Sequence, residues 1–175
     1  QVLPDEWRLA YDLSDTGLAN GFQQRDFDDW SWTPVATFSD PLDAQSLPDR
    51  QTIMWYRVTI DVPEPGRKPA LFFTEVDGDA RVWINGREVG ASEKKRTPFT
   101  VDAGGALKPG RNVIAVRVDH SSITDLFLGG ILRPVLLVDR RTSFERSHDL
   151  AEMAADAIRT KRGASAQVMV HVDPI

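Results

Sequence analysis

The chain has 175 residues, of which 41% are hydrophobic, enough for one domain with a packed core. Its 21 basic and 26 acidic residues leave a formal net charge of −5, whereas nucleic-acid binding requires a concentrated basic face. Cysteine is absent, which excludes disulfide frameworks, cysteine-ligated metal sites and thiol catalysis. No apolar run reaches the ~18 residues of a membrane span, so we expect neither a nucleic acid nor a membrane as partner.

Residues 1–20 lack the basic start and apolar stretch of a signal peptide, as expected for either a mature chain or an excised domain. Because secreted bacterial proteins can also lack cysteine, the composition does not fix the compartment. Among the possible compartments, we favour a bacterial secreted or periplasmic location.

Short strands separated by turn residues fill the chain before residue 140. In one of them Ile114, Val116 and Val118 alternate with smaller or polar side chains, as in a half-buried strand. The pattern predicts an all-β antiparallel fold, a sandwich or a barrel, because a parallel α/β sheet would need crossover helices. The predicted strands are Trp7–Asp12, Thr33–Phe38, Thr52–Val62, Ala70–Val76, Ala80–Ile84, Arg87–Gly90, Thr97–Asp102, Asn112–Asp119 and Ile131–Val138.

Two turn signals predict hairpins. Asn85-Gly86 tolerates the positive φ angles of a type I′ turn, so the residues on either side of it should pair. Asp77-Gly78-Asp79 lies between two predicted strands and is a second hairpin signal.

Residues 140–175 have a different pattern. Ser147 is a good N-cap and Gly163 can end a helix, so a helix is predicted over 148–162. We expect its apolar stripe to pack on the sandwich or on a partner, and Gln167–Val172 then alternates like a strand. The chain thus divides into a sandwich domain, 1–139, and a helix–strand extension or the start of a following domain, 140–175. The stripe consists of Leu150, Met153, Ala154, Ala157 and Ile158.

Candidate catalytic and metal-binding residues give little signal. His120, His148 and His171 are not at metal-ligand spacing, and surface or capping roles are the simpler interpretation. Among 26 acidic residues some pair could always face each other, so carboxylate pairs do not by themselves indicate glycoside hydrolysis. We predict no catalytic residue and no cofactor. The acidic stretch Asp15–Asp29 could hold a structural calcium ion, the alternative being an ordinary solvated loop.

The five tryptophans fall into two groups. Trp7, Trp55 and Trp83 lie in predicted strands and are expected in the core. Trp30 and Trp32 lie in a polar loop, where an exposed indole could stack on the apolar face of a sugar. Either ring could equally fold down onto the rim of the sandwich, and the sequence leaves both interpretations open.

Several motifs occur in a fixed order between about residues 5 and 138, and the series is similar to the N-terminal sugar-binding domain of glycoside hydrolase family 2. That family is the β-galactosidase, β-glucuronidase and β-mannosidase group, and the resemblance implies a jelly-roll sandwich with a galactose-binding-like fold. The charged segment 93–96 stands where family members carry a Gly-Gly-Tyr-like turn. The motifs are Trp55-Tyr56-Arg57, Val76-Asp77, Val82-Trp83-Ile84-Asn85-Gly86, Thr97-Pro98-Phe99, Leu107-Lys108-Pro109-Gly110, Gly129-Gly130-Ile131 and Arg133-Pro134-Val135.

The resemblance implies an accessory role. The family's catalytic glutamates lie on a barrel of about 250 residues, more than this chain contains. We expect a non-catalytic carbohydrate-binding or substrate-shaping domain, partnered by a catalytic domain of the same parent protein. The alternative is a purely structural sandwich that docks a catalytic partner and binds no sugar. An acid like Asp125 reaches the active site in some family members, and the candidates for sugar contact are Trp30, Trp32, Asp125 and Arg133.

Overall fold

The computed structural model describes residues 1–40, 42–47, 51–122, 129–140 and 147–163. Within these ranges the chain is a β-sandwich with one helix packed on its outside. The strands are β1 (Glu6–Asp12), β2 (Thr33–Ala36), β3 (Ile53–Val62), β4 (Pro69–Phe73), β5 (Val76–Asp77), β6 (Asp79–Ile84), β7 (Arg87–Ser92), β8 (Phe99–Asp102), β9 (Gly110–Asp119), β10 (Gly130–Ile131) and β11 (Val135–Asp139). The helix α1 is Ser147–Arg162, and a 3-10 turn covers Leu42–Gln45.

The strands form two facing sheets and a short ribbon. The larger sheet has the order β2-β1-β3-β9-β6-β7, the smaller sheet has the order β11-β4-β8, and β10 pairs with β5. Every described pairing of named strands is antiparallel, and β3 and β9 pair along their whole length, from Ile53 opposite Asp119 to Val62 opposite Gly110. The predicted antiparallel sandwich is confirmed.

The main core lies between the two sheets, as the alternation in the sequence predicts. On β9, Ile114 and Val116 point into this core, whereas Ala115 between them points to the outer face of the larger sheet. On β4, Leu71 and Phe73 point inward and Phe72 points outward. Both sheets therefore carry apolar side chains on their outer faces as well, and each outer face needs a cover.

The loop between β1 and β2, residues 13–32, covers the outer face of the larger sheet. Its aromatic rings pack on two strand tryptophans; the rings of Trp55 and Trp83 stack with centroids 5.1 Å apart. The Phe22 and Trp32 rings meet edge to face at 4.9 Å. We call this set, Phe22, Phe27, Trp32, Trp55 and Trp83, the aromatic cluster.

Helix α1 covers the outer face of the smaller sheet. Leu150 and Ile158 are each 1% exposed, and Leu150 packs with the outward-pointing Phe72 and Leu136. Gly163, at a φ of 95°, donates its N–H to the carbonyl of Arg159 and ends the helix as predicted. Among the described residues, no helix has the length and apolar character needed to cross a membrane. The predicted strand Gln167–Val172 lies outside the described residues.

One predicted hairpin is confirmed and one is wrong. Asn85 and Gly86, at φ angles of 52° and 84°, join β6 to β7 in a hairpin. Asp77-Gly78-Asp79 does not join two paired strands, because β5 pairs with β10, while β6 belongs to the larger sheet. The turn residues join the β5–β10 ribbon to the larger sheet.

Candidate functional site

Arg57 anchors the β1–β2 loop from below. Its side chain is 1% exposed, and Nε donates to Oδ2 of Asp29 at 2.7 Å. The two terminal nitrogens donate to the carbonyl oxygens of Phe22, Gln24 and Phe27, at 2.5, 3.0 and 3.2 Å. Because a guanidinium has five donors in a fixed planar arrangement, this one side chain holds the middle of the loop in a single conformation.

Asp12 anchors the beginning of the same loop. Its carboxylate is buried and accepts hydrogen bonds from the N–H groups of Thr16 and Gly17, at 2.9 and 2.8 Å. It also accepts the indole N–H of Trp55 at 3.1 Å. The loop is therefore fixed to β3 at two points, by a buried cation and a buried anion.

Trp30 is presented outward by this anchored loop. Its side chain is 81% exposed, and its backbone N–H is held by the Asp28 carboxylate at 3.0 Å. The guanidinium carbon of Arg8 lies 5.7 Å from the ring centroid, within cation–π range. Arg8 also donates to the carbonyl of Trp32 at 3.2 Å, which keeps the guanidinium beside the indole. We call Trp30 and Arg8 the indole–guanidinium pair.

Trp32 takes the other of the two interpretations that the sequence left open. It is 8% exposed and packs inside the aromatic cluster, with the Phe22 and Phe27 ring centroids at 4.9 and 5.6 Å. Its ring faces are occupied by protein, so the suggestion of Trp32 as an exposed stacking surface is wrong. The reason is that burying an indole against two phenyl rings removes more apolar area from water than leaving it exposed.

Of the remaining candidates, the structure describes Arg133, which lies apart from Trp30. Arg133 follows β10, and its Nε is 3.4 Å from Oε2 of Glu75, with both side chains partly exposed. The smaller sheet and the ribbon position Arg133, whereas Trp30 lies on the loop over the larger sheet. Asp125 lies outside the described residues.

A buried ionic cluster is the feature that sequence reasoning missed. Asp77 and His120 are 2% and 4% exposed, so His120 is not a surface histidine. Oδ2 of Asp77 lies 3.3 Å from Nε2 of His120 and 3.2 Å from a terminal nitrogen of Arg96. The three residues are far apart in sequence. The available signal was Asp77 at the end of an apolar strand, where a buried acid needs a partner.

Their surroundings shift the pKa values of Tyr56 and Asp119. Burial raises the pKa of the Tyr56 hydroxyl far above its ordinary value, and Tyr56 stays protonated at neutral pH. Burial also tends to raise the pKa of Asp119, but hydrogen bonds from Ser121 and the charge and hydrogen bond of Arg117 outweigh it. The pKa of Asp119 is lowered overall.

Two of the four acidic residues of the β1–β2 loop pair with arginines. Asp29 pairs with Arg57, and Asp15 pairs with Arg117 at 2.9 Å. Among the residues that the structure describes, no three histidine or acidic side chains gather into a set that could hold a metal ion. The structural calcium ion stays a prediction.

Comparison with known families and proteins places this fold. The model of the family described as "Glycosyl hydrolases family 2, sugar binding domain" matches residues 2–140. A β-galactosidase of Arthrobacter sp. (strain B7) is 33% identical over 112 residues, covering 57% of this chain and 11% of the relative. A β-galactosidase of Enterobacter cloacae is 26% identical over 173 residues, covering 91% of this chain and 17% of the relative.

Solved structures share the fold at low sequence identity. A β-glucuronidase from an uncultured Clostridium sp. has a TM-score of 0.61 at 21% identity, over 78% of this chain and 28% of that chain. A Ruminococcus gnavus β-glucuronidase has a TM-score of 0.64 at 17% identity, over the same shares. The chain therefore spans a small part of these proteins, under a fifth of the β-galactosidases and under a third of the β-glucuronidases. By its sequence over residues 2–140, this chain belongs to the sugar-binding domain family of the family 2 glycosyl hydrolases.

Proposed function

We propose that this chain is a non-catalytic domain of a glycosidase that contacts carbohydrate through the indole–guanidinium pair. The observation that carries the proposal is the 81% exposure of Trp30 on a loop that buried Arg57 holds in place. An indole face can stack on the apolar face of a sugar ring, which removes apolar area from water. The guanidinium of Arg8 can donate charge-assisted hydrogen bonds to sugar oxygens.

The relatives are long enough to contain a catalytic domain besides this one, which supports a catalytic partner in the same parent protein. The chain covers 17% or less of the two β-galactosidases, and the catalytic barrel of the family needs about 250 residues. From these relatives we infer only the class of substrate that the parent protein of this chain acts on, which is a glycoside. In this account the domain shapes or extends a substrate site whose reacting groups lie elsewhere.

A second candidate function is docking without sugar binding. Two further large apolar side chains on the β1–β2 loop are exposed, Leu13 at 66% and Leu18 at 41%. Exposed apolar residues on one loop also suit a protein interface. In that case Trp30 would contact a neighbouring domain and no glycan.

Binding of glycans to single-residue variants tests the proposal. Titration of β-linked galactosides and glucuronides, followed by the backbone amide NMR signals of the β1–β2 loop, should give a Kd of about 1 mM or somewhat below. Trp30→Ala should weaken binding about tenfold, since losing ~60 Å² of buried apolar contact costs ~1.5 kcal/mol. Leu13→Ala is the matched control, because it removes an exposed apolar side chain from the same loop, and it should leave the Kd unchanged. Absence of binding by the wild type would favour the docking alternative. Equal affinity of the Trp30→Ala variant would place the sugar site elsewhere and contradict the role of the indole–guanidinium pair.

A further inference from the structure

A single buried carboxylate lies between two surface segments at the β5–β10 end of the sandwich. On one side Asp77, the last residue of β5, accepts a hydrogen bond from the side chain of Arg96, which lies in the turn between β7 and β8. On the other side it faces His120, the residue that follows β9. Both contacts are made by the same oxygen, Oδ2, at 3.2 and 3.3 Å. A carboxylate that is 2% exposed depends on such donors, because water cannot replace them.

The segment that leaves β9 and the segment that returns to β10 both rest on this cluster. The N–H of His120 donates to the carbonyl of Thr52 at 3.1 Å. A Cβ at Gly129 would lie 3.2 Å from Cδ2 of the His120 ring, so the returning chain passes directly over the imidazole. Gly130 has a φ of 82°, and a Cβ there would overlap the Tyr56 hydroxyl. We call His120 with Ser121, and Gly129 with Gly130, the two stems.

The turn between β7 and β8 is tied to the same strand by its backbone and its side chain. Arg96 has a φ of 54°, an unusual conformation for a residue with a Cβ, and its N–H donates to the carbonyl of Val76 at 2.8 Å. The Arg96 side chain then reaches Asp77, the next residue of β5. The hydrogen bond to β5 and the ion pair to Asp77 together hold the turn in this conformation.

We propose that Asp77 is a positioning residue that couples the β7–β8 turn to the two stems. Each donor makes the burial of the carboxylate less costly, so the loss of either donor favours the opening of Asp77 and releases the segment held by the other donor. Contact of a ligand or a partner domain with one segment then also orders the other. That the ligand is a sugar rests on the proposed function; the coupling itself does not.

Amide hydrogen exchange of the whole chain tests the coupling without any ligand. Arg96→Gln removes the charge of a partly exposed side chain. It should speed amide exchange about tenfold at the N–H groups of His120 and Leu132. The N–H of Leu132 donates to the carbonyl of Glu75. His120→Gln should in turn speed exchange at the N–H of Arg96. The N–H of Asn85, in the turn of the β6–β7 hairpin, donates to the carbonyl of Val113 on β9, and its exchange should not change in either variant.

Arg81→Gln is the matched control, because it breaks an exposed ion pair with Glu88 on the neighbouring hairpin. It should leave exchange at both His120 and Arg96 unchanged. Asp77→Asn should loosen both segments together, and the Arg96 and His120 variants keep the test open if that protein does not fold. If each substitution loosens only its own segment, the coupling is wrong. Coupled exchange in a protein that binds no glycan would support the coupling and contradict the proposed function.

Discussion

Arg57 and Asp29 form an ion pair of 2.7 Å that ties the middle of β3 to the β1–β2 loop. The arginine is 1% exposed and the aspartate 31% exposed, so the pair joins the protected surface of the larger sheet to a loop that faces solvent. The next residue along the loop is Trp30. The exposed indole therefore stands on a support fixed to the sandwich, as a preorganised contact surface requires.

Replacing Arg57 with Met should destabilise the domain by about 3–5 kcal/mol, because the change leaves Asp29 and three backbone carbonyls without their donor. Urea denaturation followed by circular dichroism measures the free energy of unfolding. Arg81→Met provides the comparison, since its pair with Glu88 is exposed and should be worth less than about 1 kcal/mol. Equal effects of the two substitutions would mean that Arg57 does not anchor the loop.

Leu150→Asp should lower the melting temperature strongly, because Leu150 lies on the sheet-facing side of α1, where it is 1% exposed, and the change places a carboxylate there. We expect a loss of several kcal/mol in the free energy of unfolding. Thr160→Asp introduces the same charge at an exposed position of the same helix and should have little effect. A melting temperature unchanged by Leu150→Asp would show that the stripe faces solvent.

The contribution of Asp119 to stability should depend on pH. Because its pKa is lowered in the folded protein, ionised Asp119 stabilises the fold above the pKa of an unfolded aspartate. That contribution should disappear as the pH falls through the lowered value. Comparing urea denaturation of the wild type and Asp119→Asn at neutral pH and well below pH ~4 measures it. The difference should shrink in acid, and a constant difference would rule out this ionisation as its source.

The isolated chain should not hydrolyse aryl β-galactosides or aryl β-glucuronides. Its 175 residues are fewer than the about 250 that a catalytic barrel needs to hold two opposed carboxylates. A spectrophotometric assay of repurified protein checks this. Turnover that a single carboxylate substitution abolishes would overturn the non-catalytic assignment.

The sequence predicts those parts of the fold that local pattern determines. The alternation of apolar and polar residues identifies β9, Asn85-Gly86 identifies the β6–β7 hairpin, and the cap residues identify α1. The Asp77-Gly78-Asp79 signal misleads because turn propensity does not state which strands pair across the turn. Which strands pair depends on how both sheets pack together, so the residues of one turn do not predict it.

The candidate site depends on contacts between distant residues, so little of it could be predicted. Trp30 and Trp32 share one polar loop, yet one is 81% and the other 8% exposed. The difference arises because the Trp32 ring reaches the aromatic cluster, a contact that loop composition does not encode. Asp77 and His120, 43 residues apart, show the same limit for buried polar contacts.

The most direct test of the central claim is calorimetric titration of β-linked oligosaccharides into the wild type, Trp30→Ala and Leu13→Ala. If the indole–guanidinium pair contacts sugar, the wild type and Leu13→Ala should bind with the same Kd, in the millimolar to high-micromolar range, and Trp30→Ala about tenfold more weakly. Identical affinities of all three proteins, or no heat of binding from any of them, would contradict the claim.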